Sequence, residues 1–269
     1  MRIPTSESTT TGDPRLLRQE CILQTMEFVH LHVHTQYSFL ESVLTVEQAV
    51  AGAKKLGMKA LAVTDRGNLF GALKFYRCAR TEGIKPIIGC ELEVADIHNP
   101  KPSGDRSRNR LVLLAKTDAG YRNLIHLVTR AHLESAPDRK FRHPTVCKDW
   151  LPFYGEDLTA LSGCLMGEIP RLILSGKFDA AKRAALEFEK VFGHGNFYLE
   201  IQDHSLPEEK TVNRALVRLA GETGIPLVAT NNVRYLDRRD QPLYEAVSAV
   251  RRGGAAARAT NAEFYFKSA

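Results

Sequence analysis

The sequence predicts an α/β fold, a TIM-like barrel of seven strand–helix units. Three observations predict it. From Met26 onward, short apolar runs alternate with amphipathic helical stretches, a pattern that builds a mostly parallel sheet covered by helices. Nearly every run ends in a group able to bind or hydrogen-bond: His32 and His34, Asp65, Glu91, Lys116, Cys164, Asp203–His204, and Asn231–Asn232. A barrel points all its strand ends at one rim, whereas an open sheet spreads them along a line. Finally, the 269 residues show no strong internal repeat and no sign of a second domain.

Taken in order, residues 1–25 are polar and rich in chain breakers and are expected to form a flexible extension, leaving 26–269 as the folded domain. Phe28–Val33 is the first expected strand. Val46, Ala49, Val50, Ala53 and Leu56 then fall at helical spacing. Thr45 is placed to cap that helix with Gln48 three residues on, and Gly57 to stop it. Lys59–Thr64 is the second strand, followed by a helix over Phe70–Glu82, and Pro86–Val94 carries the third. A Pro/Ser/Gly/Arg-rich loop precedes the fourth strand, Leu111–Ala115, and a helix follows near Ala119–Leu133. After an irregular stretch from Glu134 to Pro152 comes the fifth strand, Leu158–Ser162, with helices near Glu168–Leu174 and Phe178–Phe192. Phe197–Ile201 and Pro226–Thr230 are the last strands, followed by helices near Pro207–Glu222 and Gln241–Val250 respectively.

Composition narrows the function. Hydrophobic residues are 43% and charged residues 25%, which is globular composition and excludes wholesale disorder. No apolar run approaches the ~20 residues that span a bilayer, and Met1–Leu17 has no apolar signal-peptide centre. Five Cys without a CxxC pair argue against a disulfide scaffold and for a reducing compartment, the cytoplasm. The net charge is +6, yet Pro100–Lys148 alone holds eleven Lys/Arg against four Asp/Glu. Arg106, Arg108, Arg110, Lys140 and Arg142 in this stretch suit a DNA backbone, although a solvated loop explains them equally well. No GxSxG elbow, Walker A loop or Rossmann glycine fingerprint occurs, which disfavours serine hydrolases and nucleotide folds.

The sharpest chemical feature is His30-Leu-His32-Val-His34. Alternate residues of a strand share a face, and imidazoles suit divalent ions such as Zn or Mn. Three His among five residues outweigh incidental placement in a chain with nine. Asp65, in Thr64-Asp-Arg-Gly-Asn, fits a metal ligand, a group orienting a ligating His, or a simple helix-entry cap. Glu91 ends the third strand, where a carboxylate can bridge ions. His132 near a helix end and Cys164 after an apolar run read as structural on their own. Asp203–His204 fits a ligand or acid–base pair, or a turn into a helix.

Together these residues resemble a known family. FVHLHVHTQYSFLES, LGMKALAVTDRGNLFGALKFYRCARTEGIKPIIGCELEVA, GYRNLIHLVTRAHLE, ALSGCLMGEIPRLILSG, FYLEIQDHSLPEEKTVN and IPLVATNNVRYL are similar, in order, to the PHP (polymerase and histidinol phosphatase) domain of bacterial DNA polymerase III alpha subunits. The resemblance implies a distorted seven-stranded barrel with a strand-end metal cluster. His32, His34 and Glu91 match its ligands, as do His132 and Cys164 at later positions. The second motif's Asp-His is Asp65-Arg66 here, and the final Asp-x-His is Asn232-Val-Arg234. Arg cannot ligate a cation, because its guanidinium stays protonated. The resemblance therefore implies fewer than three divalent ions (Zn or Mn, with Mg as a further candidate), down to none.

Two functions of different class follow. One is a partly degenerate domain that stabilises the remainder of a polymerase alpha chain and docks a proofreading exonuclease subunit. The other is a metal-dependent phosphoesterase with 3′–5′ exonuclease activity on DNA, with Asp65 and Glu91 as catalytic groups. The polymerase's own catalytic residues are absent from this sequence. A free-standing small-molecule phosphatase is a third and weaker reading, disfavoured by the polymerase-type strings GNLFGALKFY and GYRNL.

Overall fold

Thr45 accepts a hydrogen bond from the Gln48 amide while Gln48 caps Thr45 in return, and this capping box starts α1, Val46–Lys55. Its buried face is Val46, Ala49, Val50 and Ala53, the stripe expected from the spacing. The computed structural model describes residues 28–95, 108–135, 144–251, 253 and 263–268. The expected extension over 1–25 and the basic residues Arg106, Lys140 and Arg142 lie outside these described residues.

The remaining elements follow in chain order. They are β1 Ala60–Val63, α2 Ala72–Thr81, β2 Lys85–Ala95, β3 Asn109–Ala115, α3 Asp118–Ser135 and β4 Thr145–Cys147. Next come α4 Leu151–Tyr154, β5 Leu158–Leu161, α5 Glu168–Leu174, α6 Phe178–Phe192 and β6 Phe197–Gln202. The last are α7 Pro207–Thr223, β7 Leu227–Thr230 and α8 Gln241–Arg251. The strands pair in the order β1-β2-β3-β5-β6-β7, with β4 added beside the far end of β2.

The sheet departs from the expected strict alternation first at β3. β3 runs antiparallel to both of its neighbours, β2 and β5. Its C-terminal end therefore lies at the opposite mouth of the barrel, and Lys116 lines that mouth with Leu31, Ile87 and Tyr198 instead of facing the functional rim. Gly89 permits the β2–β3 approach: a Cβ there would stand 2.6 Å from the Leu113 carbonyl oxygen. β4 is a second departure, a three-residue strand inside the stretch expected to be irregular.

Residues 30–34 close the barrel. They form no regular strand; only Val33 makes a bridge, to Val233. Main-chain bonds nevertheless tie the segment to both edges. Ala62 N donates to His30 O (2.9 Å) and Thr64 N to Val33 O (2.8 Å); on the other side His34 N donates to Val233 O (2.9 Å) and Val233 N to His32 O (3.0 Å). Behind this seam the segment 263–268 returns, with Phe266 packed against the His30 ring and the Lys267 carbonyl accepting from His30 Nε2. Burial lowers the pKa of His30 to about 4, against a smaller upward pull from that bond, so the ring is neutral.

Two apolar shells hold the helices to the outside of the sheet, one around α1 and α2, the other around α3 to α7. The barrel interior is divided along its axis. Its lower tier is apolar, with Ala62, Val112, Leu114 and Leu161 packed beside Leu31, Ile87, Tyr198 and Val228. Its upper tier holds His32, His34, Glu91, Glu200 and Gln202, all buried. Among the described residues no helix is long and apolar enough to cross a membrane.

Candidate metal centre

The upper tier is built around His32, His34 and Glu91. One ligand atom from each lies within 4.8 Å of the others, and all three side chains are buried. The two Nε2 atoms are 3.2 Å apart, with Glu91 oxygens 3.4 Å from His32 and 3.8 Å from His34.

The hydrogen-bond network fixes which ring nitrogens carry protons. Ser38 Oγ donates to Asp65 Oδ1 (2.7 Å), so it accepts from His34 Nδ1–H (2.9 Å). His32 Nδ1–H donates to Glu200 Oε1 (2.8 Å). Both rings are thereby oriented by acceptors at Nδ1, and both Nε2 atoms point at the same space. Glu91 supplies a carboxylate whose two oxygens have no hydrogen-bond partner although fully buried. Two imidazole nitrogens and an orphaned carboxylate, backed by acceptors behind each ring, fit one divalent cation.

The electrostatics agree. Burial would keep the His32 ring neutral, but Glu200 and Glu91 outweigh it and raise the pKa to about 9. His34 is pushed well below its ordinary value by burial and by the Arg234 guanidinium. Burial would raise the Glu91 pKa, yet Arg110 and the two imidazoles hold it well below the usual carboxylate range. Without an ion, His32 acts as the local cation.

Asp65 lies behind His34. Its oxygens accept from Thr35 N (2.6 Å), Thr35 Oγ1 (2.7 Å) and Ser38 Oγ. Burial raises its pKa against the pull of those bonds. Its contact with the centre runs through Ser38, which suits an orienting group. Cys164 lines the adjoining cleft, a cavity of about 260 Å³, but is outside the trio. His132 is exposed on α3 and its Nε2–H donates to the Gly67 carbonyl (2.8 Å); the fold does not bring it to the trio. His204 is held by Glu209 Oε1 (2.6 Å) and Asn231 O (2.6 Å) at the entry to α7, the turn reading of Asp203–His204.

The altered motif positions form a connected ion lock. Arg66 pairs with Glu41 and Glu93. Arg234 reaches Glu41 Oε2 (3.2 Å), the Glu41 carbonyl (3.0 Å) and Asn232 Oδ1 (3.1 Å). Asn232 sits at φ +41°, a left-handed conformation that Asn tolerates better than most residues. Arg251 adds a third guanidinium to Glu41 at 2.8 Å. Arg110 faces inward to Glu91 (3.4 Å) and Arg108 pairs with Glu93 (3.2 Å), so both are engaged with the site's carboxylates.

Glu200 and Glu41 had no motif to announce them. Glu200 had a signal nonetheless. In Phe197–Gln202 the residues Tyr198, Glu200 and Gln202 share a face by alternation, and two of the three are polar inside a buried strand. Glu200 Oε1 accepts from His32, from Gln202 Nε2 (2.9 Å) and from Thr230 Oγ1. Glu200→Gln is expected to weaken metal binding roughly 10–100-fold, measured by competition with a chromophoric chelator; unchanged affinity would remove Glu200 from the site's support.

A barrel with imidazole and carboxylate groups converging above parallel strand ends defines a metal-site α/β barrel. The chain belongs to the PHP domain family, whose profile, described as "PHP domain", matches residues 30–204. It is 44% identical over 222 residues to the DNA polymerase III subunit alpha of Treponema pallidum, covering 80% of this chain and 18% of that protein. It is 39% identical over 249 residues to the same subunit of Borreliella burgdorferi, covering 90% and 21%. The chain thus spans about a fifth of the length of these relatives. A solved structure of an inferred metal-dependent phosphoesterase from Bifidobacterium adolescentis aligns with TM-score 0.49 at 13% identity, covering 76% of this chain and 86% of that one.

Proposed function

We propose that the chain serves DNA replication as the PHP domain of a replicative DNA polymerase III alpha subunit in the cytoplasm. Its metal centre is reduced to one ion, and its main work is to stabilise the polymerase chain and to dock a proofreading exonuclease subunit. The arginine lock carries this reading. Arg66 and Arg234 stand at two altered motif positions, and their shared partner Glu41, with Glu93, already balances charge that further cations would otherwise balance. Among the described residues, what remains open to a metal is the trio alone. The nitrogen and oxygen donors suit Zn or Mn, with Mg a weaker fit because it favours all-oxygen shells.

The orphaned Glu91 oxygens favour one further reading, a phosphoesterase with 3′–5′ exonuclease activity on DNA. An ion held by His32, His34 and Glu91 would supply Lewis acidity. Arg110 and Arg234 line the adjoining cleft and would orient a phosphodiester, and Asp65 would keep His34 aimed through Ser38.

Metal analysis of protein purified without chelator separates the two. The docking reading expects at most a single bound ion and no cleavage of 3′-labelled single-stranded DNA in Mn or Zn. Cleavage that His34→Ala abolishes, whatever the number of bound ions, would replace it with the enzymatic reading.

A further inference from the structure

The loop from Thr35 to Ser42 is fastened to the metal centre on its inner side. Ser38 bonds His34 and Asp65, Glu41 receives three arginines, and Ser42 Oγ lies 2.8 and 2.7 Å from the carbonyl oxygens of His34 and Arg234. Between these anchors the outer side is apolar. Phe39 is 67% exposed, and Leu40 is 43% exposed with a backbone φ of +58°, a left-handed conformation unfavourable for a bulky residue. Phe70, 62% exposed, stands opposite with its ring centroid 6.4 Å from that of Phe39. The helix α2 starts just beyond Phe70 and presents Leu73 and Tyr76, both exposed.

Exposed rings and a strained Leu both oppose stability, so folding alone gives no reason for them to be gathered here. Contiguous exposed apolar side chains mark a recognition surface, and aromatic residues dominate the energetic centres of protein interfaces. The edge of this patch is basic. The helix Ala72–Thr81 carries Lys74, Arg77 and Arg80 and no acidic residue. Glu47 takes Lys74 at 2.7 Å, while Arg77 and Arg80 are exposed.

We propose that the face formed by Phe39, Leu40, Phe70, Leu73 and Tyr76 docks a segment of a partner protein that offers apolar side chains flanked by carboxylates. It rests on the docking function above and assigns that function a surface. A single-stranded nucleic acid fits less well, because Leu40 and Leu73 offer no ring for a base to stack on.

The test titrates the chain with the purified proofreading exonuclease subunit of the same organism. Wild type is compared with Phe39→Ser/Phe70→Ser and, separately, Arg77→Glu. The double variant should bind roughly 10–100-fold more weakly with an unchanged thermal midpoint, since both side chains are exposed. The charge reversal should weaken binding severalfold at low salt and less at high salt. If wild type and both variants bind alike, the surface assignment falls and the docking function stands on another face. If wild type does not bind the subunit, both fall. Loss of oligothymidylate binding in the double variant while subunit binding persists would make this a nucleic-acid surface and overturn the proposal. Variant-sensitive self-association without subunit binding would overturn it in favour of a second copy.

Discussion

Glu41→Gln is expected to lower folding stability by about 3–5 kcal/mol, the usual effect of removing one partner from a buried ion pair. The side chain is 3% exposed and is the shared acceptor of Arg66, Arg234 and Arg251. An amide of the same shape keeps the packing but leaves the guanidinium groups facing one another without a counter-charge. The effect has a defined pH dependence. Burial would raise the Glu41 pKa, yet Arg234, Arg66, Arg110 and Arg251 outweigh it and hold the carboxyl below its ordinary 4.5 in the folded chain. A depressed carboxyl contributes stability that is fully present above 4.5 and is lost as pH falls through the folded value. Urea denaturation should therefore show the gap between wild type and variant at its widest near neutrality and closing below about pH 4.5. A small gap that stays flat with pH would mean that other groups neutralise these arginines.

The triple substitution Arg66→His, Asn232→Asp and Arg234→His should convert the chain into one that needs metal to fold well. Two guanidinium groups leave Glu41 and Glu93 while a third carboxylate arrives, so without cations the carboxylates outnumber their remaining partners, Arg108 and Arg251. In EDTA the thermal midpoint should fall on the order of 10 °C below wild type, taking ~3–5 kcal/mol and about 2–4 °C per kcal/mol. Added Mn or Zn should restore much of that loss by binding only the folded state. Wild type should respond less to EDTA, because its arginines stay in place when an ion leaves. A variant as indifferent to EDTA as wild type would show that the rim arginines are not standing in for cations.

Most element positions were legible because they rest on local rules. Glu168–Leu174 and Phe178–Phe192 have the bounds that periodicity set, and the Thr45–Gln48 box is a four-residue signature. Strand direction was not local. The reversed β3 had one clue, the absence of a helical pattern between Val94 and Leu111, since a parallel return needs a crossover and an antiparallel one does not. β4, three residues long, is too short to show a period. In the site, His32, His34 and Glu91 were legible from residue type and strand ends. His30 was expected on the same face, but the irregular backbone at 30–34 turns it to Phe266 and Lys267. Glu41 was invisible because its importance comes from Arg234 and Arg251, 193 and 210 residues away, a pairing no spacing rule reports.

The seam at residues 30–34 also dictates when the metal centre can exist. Its histidines are made early, but the edge that completes the barrel is Val233, the acceptor behind His32 is Glu200, and the strap behind the seam is 263–268. A ribosome adding ~5–20 residues each second needs roughly ten seconds or more to supply that far edge after His34 emerges. Until then two imidazoles and the Glu91 carboxylate share a nascent chain without the walls that shape them into a selective pocket. An ion would thereby meet the complete cage, rather than a loose pair of histidines, only once Glu200, Val233 and the strap have been made.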